Sequence, residues 1–208
     1  KWSEDSNEFE VTSPLSGVVT AMAPVDDVSI NATPKLNIEE DTSMLLIKLN
    51  NKNRLAGSIF SEVTKSKYNN TPDIDSVDDF RNMFLLIQEM ITSKDILAIH
   101  DISDGGLITT LLEMCFTKKI GMNLNLSGID RVIENLFSEE SGFVVQVKQK
   151  DVSKIITTFI EKGLAASEIG YLTNDIFSIN KDDKELFSKS IIELEKIWRE
   201  TSHAIQSL

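Results

Sequence analysis

The strongest constraint on this chain is the alternation of two kinds of segment. Short apolar runs bounded by polar residues suit strands, and between them lie stretches whose apolar residues recur every three to four positions. "GVVTAMAPV" (17–25) and "SMLLIKL" (43–49) are expected strands. "SVDDFRNMFLLIQEMITSK" (76–94) is an expected helix, with Ser76 as its cap, Asp78 and Asp79 on its positive end, and Phe80, Phe84, Ile87 and Ile91 on one face. "ILAI" (96–99) is a buried strand, and Leu107, Leu111 and Met114 give the helix after Gly105 its apolar side. "MNLNL" (122–126) alternates like a half-exposed strand, and "FVVQV" (143–147) is a further strand. A helix follows at 151–162, with Val152, Ile155, Phe159 and Ile160 inward and Gly163 as its stop. "EIGYLT" and "DIFSIN" (168–179) are expected to pair across Thr173–Asn174, and the chain ends in "KELFSKSIIELEKIWRETSHAIQSL", expected to be one long amphipathic helix. Asn69–Ser76, with Pro72 and an Asn pair, is a loop. Helices interleaved with strands in this order predict an α+β fold: a layered sandwich in which helices flank a mixed β-sheet.

Composition narrows what such a sandwich can do. The 208 residues are 41% hydrophobic, enough to bury a real core. A net charge of −12 argues against a nucleic-acid surface, which needs clustered Lys and Arg. Nucleotides remain open to an acidic protein when Mg²⁺ or backbone amides meet the phosphates. Cys115 is the single cysteine, so the chain can form no internal disulfide or Cys-based zinc site, and a reducing cytoplasmic setting is expected. No apolar run approaches the length of a membrane span, and the first ten residues lack a signal-peptide core. The chain opens at Lys1 without a methionine, so it is expected to be a piece of something longer.

The polarity at one strand-to-helix junction, "HDISDGG" (100–106), is the main chemical signal. A strand ending at Ile99 presents His100 and Asp101 at its carboxyl edge, where open sheets bind ligands. Asp101 can ligate a hard cation such as Mg²⁺, and Ser103 can hydrogen-bond a phosphate. Gly105 and Gly106 permit close backbone approach and free N–H groups at a helix start. The plainer alternative makes Ser103 or Asp104 an N-cap, the glycines a turn and His100 a hydrogen-bonded histidine. With His203 as the only other histidine, no catalytic His pair is expected. Gly57 and Ser58 open a helix and serve either a phosphate or a tight helix–sheet contact. Glu139 and Glu140 form either a metal-binding pair or a solvated turn. Cys115 packs as a small hydrophobe, and Trp198 is a core or interface anchor.

Four strings occur in order: "TSPLSGVVTAMAPVDDV", "LNNKNRLAGSIFSEV", "HDISDGGLITTLLEM" and "FSEESGFVVQV". Together they closely resemble the large single-chain phosphoribosylformylglycinamidine synthases of purine biosynthesis, in the C-terminal subdomain of the second aminoimidazole-ribonucleotide-synthetase-like half. The resemblance implies an ATP- and glutamine-dependent carbon–nitrogen ligase that converts formylglycinamide ribonucleotide to formylglycinamidine ribonucleotide. It implies Mg²⁺ and ATP or ADP as cofactors, Asp101 as a metal ligand and Ser103 as a nucleotide contact, and the turn amides of Gly105 and Gly106 are candidate further nucleotide contacts beside them. It also implies a layout: 1–42 as the tail of a preceding N-type subdomain, 43–182 as the C-type subdomain, and 183–208 as a helical connector towards a glutaminase. The partners are then an N-terminal synthetase half and a C-terminal glutaminase of the same polypeptide, together with a small-molecule nucleotide, with no nucleic acid and no membrane. These 208 residues hold no catalytic residue of their own on this reading and are expected to be inactive alone.

Three positions depart from the family pattern. Ile102 stands where an Arg is common, Ser138-Glu139-Glu140-Ser141-Gly142 replaces Asn-Glu-Glu-Leu-Gly, and Phe116-Thr117-Lys118 replaces Phe-Ala-Gly. The rival reading is a stand-alone Mg²⁺–nucleotide-binding or regulatory module of the same fold. A third is a structural protein in which the glycines only shape a turn. Aminoimidazole ribonucleotide and selenophosphate synthetases share the architecture, but "SPLSGVVTAMAPVDDV" and the last helix fit the large synthases better.

Overall fold

In the computed structural model, residues 2–4, 7–10, 17–25, 27–38 and 41–207 are described. Strands β1 (Trp2–Glu4) and β2 (Asn7–Phe9) pair antiparallel as a small separate sheet. The expected strand at 17–25 does not form; those residues run irregularly, with Val18, Val19 and Met22 almost fully exposed. A strand exists by pairing, and no described strand offers this segment an edge. Residues 12–16, which begin the first of the four strings, lie outside the described residues.

The main sheet begins with β3 (Thr42–Lys48), buried at every position. Met44 and Leu46 face one side and Leu45 and Ile47 the other, each joining a different core. A strand covered on both faces needs an unbroken apolar run, which explains why this segment lacks alternation. Short helix α1 (Ile59–Thr64) and long helix α2 (Val77–Thr92) follow. Ser76 caps α2 as expected, its hydroxyl accepting from Asp79 N–H at 3.1 Å. The buried stripe of α2 is Met83, Ile87 and Met90; Phe84, expected on that face, is about half exposed. Then come β4 (Ile96–Asp101), α3 (Gly106–Phe116), β5 (Gly121–Asn125), α4 (Val132–Phe137), β6 (Gly142–Lys148), a 3-10 turn at Gln149–Asp151 and α5 (Val152–Glu161). The chain closes with β7 (Ala165–Thr173), β8 (Ile176–Lys181), β9 (Lys184–Ser190) and α6 (Ile191–Gln206).

The seven strands lie in the order β4-β6-β3-β7-β5-β8-β9, antiparallel except for the parallel pair β5–β8. Helices α2 and α5 pack on one face through Ile87, Ile155 and Phe159. Helices α3, α4 and the start of α6 cover the other through Leu107, Leu111, Met114, Leu136 and Ile191. The expected α+β sandwich with a mixed sheet is what forms.

Two expectations about pairing change. Strands β7 and β8 exist but do not pair with each other, because β5 runs between them and buries Met122 and Leu124. The hairpin is instead β8–β9, turned through Asp182 and Asp183 at φ 48° and 65°. Positive φ at both central residues is the geometry of a tight hairpin whose twist suits its strands. Residues 184–190, expected to be helical, therefore form the edge strand, and the last helix begins only at Ile191. Phe187 from this strand packs onto the core. In α5, Val152, Ile155 and Phe159 are inward as expected, whereas Ile160 is more than half exposed. Among the described residues no helix is long and apolar enough to cross a membrane.

Candidate functional site

The carboxyl ends of β3 and β4 and the amino end of β6 meet at one end of the sheet. Lys48 pairs with Gly142, and Asp101 pairs with Phe143. The polar junction 100–106 and the acidic segment 138–141 therefore converge, as the sequence reading did not foresee. Ile102 N–H donates to Gly142 O at 2.9 Å, continuing the ladder one residue past β4.

His100 is held from both sides. Its Nδ1 lies 2.9 Å from Asp101 O and 3.2 Å from Asp101 Oδ1, and its Nε2 lies 3.2 Å from Glu113 Oε2 on α3. The ring thus ties the strand end to the helix and orients Asp101, whose own side chain is 66% exposed. Ile102 turns inward against the core, so this chain carries apolar packing at that position.

Neither Ser103 nor Asp104 caps α3. The cap position is Gly105, at φ 85°, with no side-chain capping bond. Both side chains are exposed, and neither has a protein partner among the described residues. Gly106 follows at φ 73°, and a Cβ there would lie 2.7 Å from the Phe137 carbonyl carbon. Left-handed backbone and a close approach together require glycine at this point.

The glycine amides are not free. Gly106 N–H donates to Ser103 O at 3.0 Å, and Gly105 N–H donates to Glu139 Oε1 at 2.9 Å. The same carboxylate oxygen accepts Ile59 N–H at 2.9 Å, so Glu139 links α1 to the start of α3. Its Oε2 has no protein hydrogen bond among the described residues. Glu140 is almost fully buried and takes a two-pronged bond from Arg54, at 2.5 Å from Nε and 2.8 Å from Nη2. Arg54 N–H adds a third contact at 3.2 Å. The guanidinium also reaches Asp75 and Asp73 O, and these acceptors hold it in its charged form more firmly than usual. The pair 139–140 is therefore not a solvated turn: it pins the segment in front of β6.

Gly57 sits at φ 75°, and a Cβ there would make only an ordinary contact with Thr71. The turn, not close packing, is what calls for glycine. Ser58 is buried and caps α1, accepting from Ser61 N–H at 3.2 Å and donating to Leu55 O at 2.7 Å. Cys115 is buried in the core, and desolvation pushes its thiol up to about 12. Trp198 is half exposed and leans on Phe116, with ring centroids 5.4 Å apart.

What remains open to a ligand is a short polar rim formed by Asp101, Ser103 and Asp104. Among the described residues no three metal-ligating side chains converge. Asp101 is a single exposed oxygen donor, which suits a hard cation that keeps most of its ligands from water or phosphate.

With this geometry in place, comparison with known proteins defines the class. Residues 43–179 match the family described as AIR synthase related protein, C-terminal domain, and the chain belongs to that family. A phosphoribosylformylglycinamidine synthase of Schizosaccharomyces pombe is 37% identical over 218 residues, an alignment covering 100% of this chain and 16% of that protein. Among solved structures, phosphoribosylformylglycinamidine synthase II from Thermotoga maritima matches with a TM-score of 0.65 at 11% identity, over 80% of this chain and 28% of its own. The T. maritima PurL complexed with ATP gives 0.61 at 11% identity, over 80% and 27%. The hydrogenase maturation protein HypE in complex with ATP gives 0.54 at 13%, over 78% and 55%. At these identities the structural matches establish the fold alone.

Proposed function

We propose that this chain is a nucleotide- and Mg²⁺-facing subdomain of an ATP- and glutamine-dependent ligase that makes formylglycinamidine ribonucleotide from formylglycinamide ribonucleotide. The observation that carries this reading is the exposed Asp101–Ser103–Asp104 rim at the sheet end, with Asp101 oriented by His100 and Ser103 and Asp104 free of side-chain partners among the described residues, on a turn shaped by Gly105 and Gly106. The likeness of the whole chain to 16% of a named synthase supports the reaction, and the ATP complexes of the fold relatives support the nucleotide. In the proposed chemistry ATP phosphorylates the substrate's amide oxygen with loss of an amide proton, and ammonia from glutamine then displaces phosphate to leave an amidine.

Asp101 would hold Mg²⁺, which when bound neutralises phosphate charge. Ser103 Oγ would donate to a phosphate oxygen, and His100 would keep Asp101 in place through its grip on Glu113. Gly105 and Gly106 would shape the turn; because their N–H groups already have acceptors, Gly105 would meet a nucleotide only where Glu139 yields and Gly106 only where Ser103 O does. In this reading residues 43–182 are the C-type subdomain, 1–42 precede it as the tail of an N-type subdomain, and 183–208 lead towards a glutaminase. The synthetase half and glutaminase supply the remaining machinery, the piece alone is inactive, and the location is cytoplasmic.

Calorimetric titration of Mg·ADP into the chain tests this. Binding heat is expected, reduced at least about tenfold in affinity by Asp101→Asn and less by Ser103→Ala. Equal affinity in wild type and Asp101→Asn would sink the assignment of Asp101.

A further inference from the structure

On the other side of Gly142 from the Asp101 turn lies an open cavity of about 730 Å³, with Lys48 at its floor. Lys48 is only 4% exposed. Its ammonium donates to Asn53 Oδ1, the only acceptor that reaches it among the described residues. The Glu140 carboxylate acts on it through space, but its two oxygens are already committed to Arg54. A buried cation without a contacting counter-ion is costly, and an ammonium with donors to spare stays short of acceptors.

Everything else around the cavity is consistent with a ligand of two parts. Arg131 also lines the cavity, 66% exposed, but its guanidinium is already paired with Glu134 Oε1 at 3.0 Å and Asp130 sits beside it, so Lys48 is the cation left for an anion. Asn51 and Asn135 bring amides to the rim. The lining also includes apolar side chains: Leu46, Leu164, Ala165 and the exposed Ile160. Ile160 was expected to pack inward, yet it faces this space instead, an apolar surface beside a polar floor. The volume lies in the ordinary range for small-molecule sites, about 300–1,000 Å³.

We propose that this cavity binds a small organic anion, its carboxylate or phosphate on the Lys48 ammonium and its apolar body against Ile160 and Leu164. The site is separate from the Asp101 rim and does not depend on the nucleotide reading. It takes ligands with one charged end and one apolar end, and it discriminates against neutral analogues because only an anion supplies the missing counter-charge.

Phenyl phosphate and benzoate are the probes, with benzyl alcohol as the neutral control, followed by lysine-¹⁵N NMR and calorimetry on the full chain. At least one anion is expected to bind and to move the Lys48 signal, with benzyl alcohol at least about tenfold weaker. Which anion binds tells phosphate from carboxylate. Lys48→Met is expected to lower anion affinity at least about tenfold, and Ile160→Glu, an exposed change that leaves the core intact, to do the same. Circular dichroism checks that both variants are folded. Absence of binding by either anion, or equal binding by wild type and a folded Lys48→Met, overturns the proposal.

Discussion

Arg54→Met is the most informative perturbation of the turn that carries the site. Arg54 holds two different kinds of acceptor. On one edge are Glu140 Oε1 and Oε2, at 2.5 and 2.8 Å, on a side chain only 3% exposed. On the other is Asp75, 39% exposed and shared with Lys52 at 2.9 Å. Water screens the Asp75 contact and replaces it readily. The Glu140 contact is different, because removing the guanidinium strands a carboxylate that the fold keeps from water. Such one-sided losses cost about 3–5 kcal/mol. With a urea m-value of about 2–3 kcal/mol/M, the midpoint of unfolding should fall by about 1–2 M. Asp75→Asn should barely move it. The double variant Arg54→Met, Glu140→Leu should recover about half of the loss or more, since no buried charge is then left unpaired. The assay is urea unfolding followed by circular dichroism. If Arg54→Met shifts the midpoint no more than Asp75→Asn does, Glu140 is not held by Arg54 and the account of the 138–141 segment is wrong.

Two further outcomes follow from the same end of the sheet. Gly106→Ala places a Cβ 2.7 Å from the Phe137 carbonyl carbon at φ 73°, and should destabilise by about 2 kcal/mol or more; a melting temperature within a degree or so of wild type would refute the close approach. Lys48 has its pKa lowered by desolvation to about 8 from the ordinary 10.5, with Glu140 partly opposing, so the folded chain releases this proton before the unfolded chain does. Stability should therefore rise with pH between about 8 and 10.5, and Lys48→Met should exceed wild type by about 3 kcal/mol at pH 7, with the gap closing by pH 10.5. Parallel urea midpoints from pH 7 to 10.5 check the sign; a constant gap would mean that Lys48 is not desolvated.

The sequence made some of this structure legible and not the rest, and the division has a physical basis. Elements whose cause is local were readable. The uninterrupted apolar run of β3, the Ser76 cap of α2 and the three-and-four spacing of Leu107, Leu111 and Met114 each report a burial pattern carried by neighbours in the chain. The segment 17–25 shows the limit of that reasoning. Its residues suit a strand, yet strand formation needs an edge to pair with, and no described strand pairs with it. Pairing order was equally hidden. That β5 enters between β7 and β8 depends on Met122 and Leu124 finding the central place in the sheet, which no window of sequence displays.

The candidate site divides the same way. Asp101 and Ser103 stood out as a polar cluster at the end of an apolar strand, a pattern that suits a cap and turn as well as a ligand; the resemblance singled them out, and the structure leaves both exposed. Glu139 and Glu140 could not be read, because their partners lie far off in the chain: Ile59 N–H and Gly105 N–H for one, Arg54 for the other. A pair of glutamates before a strand gives no sign of whether it meets water, metal or a guanidinium. Arg54 gave less still, one basic residue in a polar loop, although it holds the segment on which the turn leans. The same loop supplies Asn53 to Lys48 while Arg54 secures Glu140, so two adjacent residues connect the cavity to the acidic segment and, through Glu139, to Gly105. A ligand that draws Lys48 towards itself competes with Asn53 for the ammonium. The Arg54–Glu140 pair, with both carboxylate oxygens occupied, stands between that response and the Asp101 turn.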